Sequence, residues 1–277
     1  MRNPSHVQFH SPYLHLFERA RAAGRLMVAS LAPSYPAAFD VSEPLSVISA
    51  LRAIGFSIVE ETVSVMEEVV KIRLQAIGDS NPRSLPLLSS SCSRVTGLIK
   101  ERYPQLEERL VPRLSPMSLH VRSLKERYGN DCVVVFIGPC THKRSEAERV
   151  AATGGTPPDL VLTFDDLGMY FRKLGFHLAS FLPSEPDGET PDWARASVLV
   201  DSLSGWNQVI ETLANVESAA SGHDHGLGSF IEMLACEGGC LSGDGMGSSL
   251  TLPLQERQGK IISYFKSMFQ CPLRSPL

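Results

Sequence analysis

The six cysteines are the groups in this sequence with the widest chemical reach, and four of them follow a pattern. Cys92 follows the apolar run LPLLSSS, Cys140 follows CVVVFIG and Cys236 follows FIEMLA. Each therefore falls at the carboxyl end of a predicted strand, the edge of an open α/β sheet where ligand sites form. Cys240 lies four residues past Cys236, across Gly238 and Gly239, near enough for both sulfurs to serve one metal cluster. Thiolates select soft metals, and four from three loops is the number a 4Fe-4S cluster takes. Taken singly, each could equally be a small buried hydrophobe; four together at strand ends argue against coincidence. Cys132, inside a strand, and Cys271, in a proline-rich tail, read as structural. Gly238 and Gly239, with Gly243, Gly245 and Gly247 beyond them, would let backbone N–H groups approach sulfide or anionic ligands.

The elements that must carry these residues can be read from period. LMVAS from Leu26 to Ser30 is a strand, LSVISALRAIG a helix closed by Gly55, and FSIVEE a second strand. Helical spacing runs from Thr62 to Ile77, LPLLSSS is a third strand, and Arg94 to Arg102 is helical. The stretch from Tyr103 to Pro116 is polar and punctuated by proline, and reads as a connection to the helix MSLHVRSLKERY. CVVVFIG is the most strand-like run, apolar enough to be buried on both faces, and HKRSEAERVAA reads as an exposed helix. LVLTF is a strand, after which Thr163 and Asp166 have the spacing of a capping box opening the helix DLGMYFRKLG. Pro183–Asp192 and Ser218–Ser229 are loops by composition, with a helix at SGWNQVIETLANV between them and FIEMLA as the last strand. Alternating strands and helices predict an α/β protein with mainly parallel sheet flanked by helices. The expected division is an N-terminal lobe over 1–128, a C-terminal lobe over 129–250 and a helical tail over 251–277, with a ligand site in the cleft between the lobes.

Composition narrows the partners. Lys and Arg number 26 against 30 Asp and Glu, a net charge of -4 with no basic cluster, which excludes nucleic acid or an anionic membrane as the expected partner. No apolar run approaches the roughly 18 residues of a membrane helix, and the opening residues lack the apolar stretch of a signal peptide, so the expected location is the cytoplasm. His223-Asp224-His225 sits in a Gly/Ser-rich loop with no further ligand spaced to join it, and reads as solvated. His142, between Cys140 and Lys143, reads as exposed. Glu67 and Glu68 are adjacent in a helix and face apart, which leaves Glu68 alone as a candidate proton relay. Neither a dinucleotide fingerprint nor a phosphate loop occurs.

The segments SSSCSRVTGLIKERYPQL, LSPMSLHVRSLKERYG, VVVFIGPCTHKRSEAER, DLVLTFDDL and FIEMLACEGGC together resemble the catalytic domain of iron-only hydrogenases, most closely its sensory-type branch. The family motif Pro-Cys-x-x-Lys-x-x-Glu is matched by Pro139, Cys140, Lys143 and Glu146, and Glu-x-x-Ala-Cys-x-x-Gly-Cys by Glu232, Ala235, Cys236, Gly239 and Cys240. The resemblance implies that Cys92, Cys140, Cys236 and Cys240 hold the 4Fe-4S part of an H-cluster, with Cys240 bridging to a two-iron subsite carrying CO and cyanide. It implies that Lys143 hydrogen-bonds one cyanide as a point charge, and that Ala32-Pro33-Ser34 addresses the other. H2 and protons would be the substrates, a ferredoxin-like protein or a downstream signalling module the electron partner, and maturation proteins the source of the two-iron subsite. The departures point to low turnover and a sensing role. Ser91 stands where the fast enzymes carry a proton-transferring cysteine, Leu234 replaces a methionine, and beyond the relay position Glu68 the expected acid and arginine are Lys71 and Gln75. The alternative is a relative that binds 4Fe-4S without the two-iron subsite, of the iron-sulfur assembly type or in an electron-transfer or structural role.

Overall fold

A computed structural model of the chain describes residues 11–81, 85–112, 115–188, 201–219, 229–247 and 251–269. Two four-stranded parallel sheets carry it. In the first, β1 (Met27–Leu31) lies between β2 (Ile58–Glu61) and β5 (Val133–Gly138), and β6 (Leu160–Thr163) completes the edge. In the second, β3 (Leu87–Ser89) lies between β4 (Leu110–Val111) and β8 (Phe230–Leu234), with β7 (Asp201–Ser204) at the far edge. Every pairing is parallel, so all strands of a sheet point their carboxyl ends the same way.

The two sheets are not the two lobes expected on either side of position 128. Each draws strands from both: β1 and β2 join β5 and β6, while β3 and β4 join β7 and β8. Periodicity reports which segments are strands; which strand pairs with which depends on contacts far apart in sequence, and the chain crosses between sheets three times. Two strands lie where none was expected. β4 lies within the stretch read as a connection, and β7 has the sequence DSLS, too short and polar to show alternation.

Helices cover the sheets: α1 (Pro12–Ala22), α2 (Ser46–Ala53), α3 (Met66–Asp79), α4 (Ser93–Arg102), α5 (Pro116–Tyr128), α6 (His142–Ala152), α7 (Phe164–Leu174), α8 (Trp206–Ala219) and α9 (Leu254–Phe269). The main core packs Leu14 and Phe17 of α1, Ile48 and Leu51 of α2 and Tyr170 and Phe171 of α7 around β1, β5 and β6, whose residues are buried throughout apart from nothing but slivers of surface. A second core joins Val95 and Ile99 of α4 to Val209 and Leu213 of α8 across Leu88 and Ile231. Val69, Leu119 and Phe230 form a third between α3, α5 and the second sheet. The capping box is realised: Asp166 N donates to Thr163 Oγ1 at 3.0 Å and Thr163 N to Asp166 Oδ2 at 2.9 Å, while Arg144 and Ser11 also bind Asp166. Among the described residues, no helix is long and apolar enough to cross a membrane.

Candidate metal centre

Parallel strands deliver their loops to one edge, and that is how the cysteines meet. Cys140 follows β5 in the first sheet; Cys92 follows β3 and Cys236 follows β8 in the second. Cys92 is the N-cap residue of α4, where its carbonyl accepts from Thr96 N and Thr96 Oγ1, each at 3.0 Å. Cys240 sits in the tight helical turn Gly239–Ser242. This turn needs its glycine: Gly238 has φ +72°, and a Cβ there would strike Leu254 of α9 at 2.3 Å.

The loop beyond Cys240 fastens one sheet to the other. Gly245 N donates to the Pro139 carbonyl at 2.8 Å, Asp165 N to the Gly245 carbonyl at 2.9 Å, and Asp244 accepts from Thr141 N at 2.9 Å and from Thr141 Oγ1. Gly243 passes so close that a Cβ would lie 2.2 Å from the Pro139 oxygen. The amide of Gly239, expected to face anionic ligands, donates instead to the Cys236 carbonyl at 2.9 Å. These glycines shape and clamp the loop: the steric need is met, and the polar use goes to backbone carbonyls.

The thiols feel one another. Burial pushes Cys140 up to about 11 and Cys240 up to about 12; the charge of Lys143 acts the other way on both, and Cys92 adds to the rise in both. Cys236 is also raised by burial, against which Arg94 acts by charge and by donating Nη1–H to Sγ at 3.8 Å. Three thiols that resist ionising, each also raised by Cys92, are suited to a cation that takes the protons' place. Among the described residues no three metal-ligating side chains are gathered around a single ion. A lone tetrahedral metal holds its sulfurs about 4 Å apart, given bonds of ~2.3 Å. A cubane gives each cysteine its own iron and so spreads them wider. The donor chemistry, soft thiols carried on three loops and coupled electrostatically, suits the larger group.

Residues 25–215 match the family described as iron only hydrogenase large subunit, C-terminal domain. The chain belongs to this family. Its fold is also that of solved FeFe-hydrogenases. One, studied for oxygen inactivation through its H cluster 2Fe subcluster, superposes with a TM-score of 0.72 at 18% identity, covering 93% of this chain and 94% of that one. A HydA studied for stepwise H-cluster assembly gives 0.70 at 18%, again over 93% and 94%. A variant of HydA1 from Chlamydomonas reinhardtii gives 0.70 at 16%, over 91% and 94%. At these identities the likeness concerns the fold. No curated protein sequence matches the chain.

Lys143, in the hydrogenase-family motif, lies in the first turn of α6, which reads as an exposed helix. The structure corrects that reading on one face: the Lys143 side chain is 15% exposed and Glu146 is buried. Lys143 Nζ donates to Glu146 Oε2 at 2.6 Å, Ser115 Oγ at 2.9 Å and the Ser91 carbonyl at 3.1 Å. Ser93 Oγ donates to Glu146 Oε2 at 2.5 Å and Ser118 Oγ to Oε1 at 3.2 Å. Burial opposes both charges, and the ion pair overcomes it, so the lysine is raised and the glutamate lowered. Cys240 and Cys92 also raise Lys143, which places its ammonium beside the thiols.

Ala32, Pro33 and Ser34 leave the end of β1 at the same edge: Ala32 N donates to the Ile137 carbonyl at 2.9 Å, one strand from Cys140. Ser91 N donates to Ser89 Oγ at 3.1 Å, and the two hydroxyls lie 2.9 Å apart. Ser89 Oγ also reaches Glu232 Oε1 at 3.2 Å, whose other oxygen is held by Arg73. Glu68 stands apart from that cluster, in a half-exposed ion pair with Arg122 of α5, and Lys71 and Gln75 lie exposed along α3. Leu234 packs toward the Gly239 turn. His142 is exposed and Cys132 buried, as their surroundings in sequence suggest, while His223, His225 and Cys271 lie outside the described residues. Arg94 and Glu232 escaped the sequence reading. Glu232 was legible as a motif position without a task, and nothing local marks Arg94 as a partner of a sulfur 142 positions away.

Proposed function

We propose that Cys92, Cys140, Cys236 and Cys240 hold a 4Fe-4S cluster, that Cys240 bridges it to a two-iron subsite carrying CO and cyanide, and that the chain splits hydrogen slowly as a cytoplasmic sensor of the sensory-type branch. The supporting observation is the convergence of thiols from three strand-end loops, electrostatically coupled to one another and to Lys143. When bound, such a cluster supplies the iron chemistry by which one H2 yields two protons and two electrons.

The chain's own residues bind, neutralise and move protons. Lys143 offsets the negative charge of thiolate and cyanide ligands, and Glu146 with its serines fixes the ammonium in place. Of the acceptors of Lys143, the Ser91 carbonyl is the most distant, so it is the one a cyanide nitrogen would displace. The Ala32-Pro33-Ser34 loop would address the second cyanide with the backbone at the end of β1, and the Gly238-Gly239 turn would hold the loop of Cys240 in shape. Ser91 keeps its proton tightly near neutrality, where the fast enzymes use a thiol, so proton transfer is slow. Glu68, paired with Arg122, would be the outer station of whatever relay exists. Slow turnover suits a sensor whose electrons pass to a ferredoxin-like partner or signalling module, with maturation proteins inserting the two-iron subsite.

A second reading, a family member that keeps only 4Fe-4S, is favoured by one observation: three protein oxygens already accept from the Lys143 ammonium, which has three N–H groups. Reconstitution with iron and sulfide, followed by a synthetic two-iron precursor, separates the two by infrared spectroscopy. Bands of CO and cyanide support the H-cluster; a cubane signal without them supports the second reading; no iron uptake ends both. With the H-cluster present, Ser91→Cys is expected to raise hydrogen turnover.

A further inference from the structure

Three helices beside the candidate centre stand around a cavity of about 700 Å³, large enough to take a whole small molecule. Each gives it a stripe at helical spacing. α4 presents Ser93, Thr96 and Lys100, and α5, counted from its N-cap, presents Ser115, Ser118 and Arg122. α6 presents Glu146 and Arg149. The stripes share a direction: Glu146 and Ser115, which hold the Lys143 ammonium, are buried, whereas Lys100 and Arg149 are exposed.

The two ends ask for different chemistry. Ser93 Oγ and Ser118 Oγ donate to Glu146 at 2.5 Å and 3.2 Å, and Thr96 Oγ1 donates to the Cys92 carbonyl at 3.0 Å. With their hydrogens turned to the protein, these hydroxyls offer lone pairs, so a ligand there must bring O–H donors of its own. The outer end is the reverse, since Lys100, Arg122 and Arg149 can only donate. Lys100 shares its charge with Glu107 at 3.2 Å and Arg122 with Glu68 and Glu126, but the Arg149 guanidinium has no ion-pair or hydrogen-bond partner among the described residues. Among those residues Glu146 is the sole carboxylate lining the cavity, and Lys143 answers its charge. Three cations at the mouth, in a chain of net charge -4, select an anion.

We propose that this cavity binds a phosphorylated polyol of the sugar-phosphate class, with its hydroxyls on Ser93, Thr96 and Ser118 and its phosphate on Arg149, helped by Lys100 and Arg122. A phosphate monoester carries nearly two negative charges at neutral pH and matches the guanidinium fork, which a single carboxylate does less fully. Leu119 and Val150, between the two ends, suit the C–H faces of a sugar. The ligand acts as a second input to the candidate centre. Its charge adds to that of Glu146, the partner of Lys143, and negative charge near a cluster disfavours an added electron. This regulatory step rests on the reading that the thiols hold a 4Fe-4S cluster; the binding does not.

The test begins with the full chain before any iron is added. Titration calorimetry with ribose 5-phosphate and glucose 6-phosphate, set against ribose and inorganic phosphate, is expected to show at least one sugar phosphate binding about tenfold more tightly than either part alone. Arg149→Gln, at an exposed position, should weaken that binding about tenfold with an unchanged urea midpoint, and Thr96→Val should weaken the sugar phosphate while leaving inorganic phosphate as it was. No heat from either sugar phosphate up to about 10 mM overturns the site. So does binding that inorganic phosphate equals and Arg149→Gln does not change, the mark of an adventitious ion only. In the chain loaded with 4Fe-4S, saturating sugar phosphate should lower the cluster potential, read by redox titration with paramagnetic resonance, and should not do so in Arg149→Gln. A potential that ignores bound ligand overturns the regulatory step and leaves the site. A chain that takes up no iron overturns the cluster reading and that step with it, while binding measured beforehand still decides the site.

Discussion

Two neighbouring carboxylates at the end of β2 are both buried and are charged differently. Glu60 is 0% exposed and Glu61 is 3% exposed, yet Glu60 is held down to about 2 and Glu61 is pushed up to about 7. Successive strand residues point to opposite faces, so the two sample different environments one peptide apart. Burial opposes ionisation in both. On one face, α5 supplies Arg127 at 2.7 Å and 2.8 Å and the Tyr128 hydroxyl at 2.6 Å, which more than offset it for Glu60. His120 Nε2 lies 3.5 Å from Glu60, a long electrostatic contact, and burial keeps that imidazole neutral while Nδ1 meets Ser30 Oγ at 2.8 Å. On the other face, Glu61 receives a hydrogen bond from the Tyr264 hydroxyl, itself bonded by Tyr35 at 2.8 Å. Among the described residues its Oε2 has no hydrogen-bond partner and no cation is at hand. The lesson is that burial alone does not set a carboxylate's charge; the presence of a cation does. Glu146 belongs with Glu60 in this respect, because Lys143 stands beside it.

Glu61 has consequences for the candidate centre. Tyr35 directly follows Ala32-Pro33-Ser34, and Tyr264 lies on α9, so the carboxyl joins that loop to the C-terminal helix. The same helix binds the Cys240 turn through Arg257, which donates to the Leu241 carbonyl, and through Leu254, packed on Gly238.

The contrast can be broken most severely at Glu60. Glu60→Ala leaves Arg127 and Tyr128 without their acceptor, and is expected to lower unfolding free energy at pH 7 by about 3 kcal/mol, measured by urea titration. The opposite sign is expected next door. An acid raised in the folded state costs stability progressively as pH climbs from its ordinary 4.5 to about 7, and no more above that. Glu61→Gln should therefore stabilise the chain by about 2 to 3 kcal/mol at pH 8 and by almost nothing at pH 4.5. An equal effect at both would show that Glu61 is ionised in the same way folded and unfolded. For Glu60, held low, the stabilisation is present above 4.5 and lost as pH falls toward about 2, so acid unfolding should shift to higher pH in its absence.

The wild-type helix α9 offers a subtler readout. Ionising Glu61 places a charge in a buried site with no cation beside it among the described residues, so amide exchange in α9, corrected for its intrinsic pH dependence, should quicken between pH 6 and 8 by about a factor of ten. Exchange that stays level would separate Glu61 from the docking of the helix. The smallest effect is expected for Tyr264→Phe, about 1 kcal/mol at pH 6, where one hydrogen bond is removed. It should also move the Glu61 titration, read by infrared carboxyl bands, further upward, because the Tyr264 hydroxyl favours the carboxylate.

Much of the fold was open to reading because its signals are local. The apolar run Val133–Gly138 is buried at every position, and Thr163 with Asp166 closes the box that its spacing promises. The cysteines were legible for a related reason: a residue just past a strand must lie at the sheet edge, whichever sheet that is. Lys143 was legible as a motif member and misjudged in exposure, since α6 is mostly polar and only contacts with α4 and α5 show which side faces inward. β7 and Arg94 left no trace, the first because four residues of mixed polarity carry no period, the second because its partners come from other strands and helices.

By itself the amino-acid order determined the kinds of groups present, the strands that end in thiols and the helices that begin beside them. Tertiary structure decided which strands share a sheet, how Asp244 and Gly245 draw the loop of Cys240 onto Pro139 and Thr141, and which buried carboxyl meets a cation. The reason is one of range. Backbone preference and side-chain period act over a few residues, whereas the charge on Glu60, Glu61 or Glu146 depends on what another segment brings within a few ångströms of it.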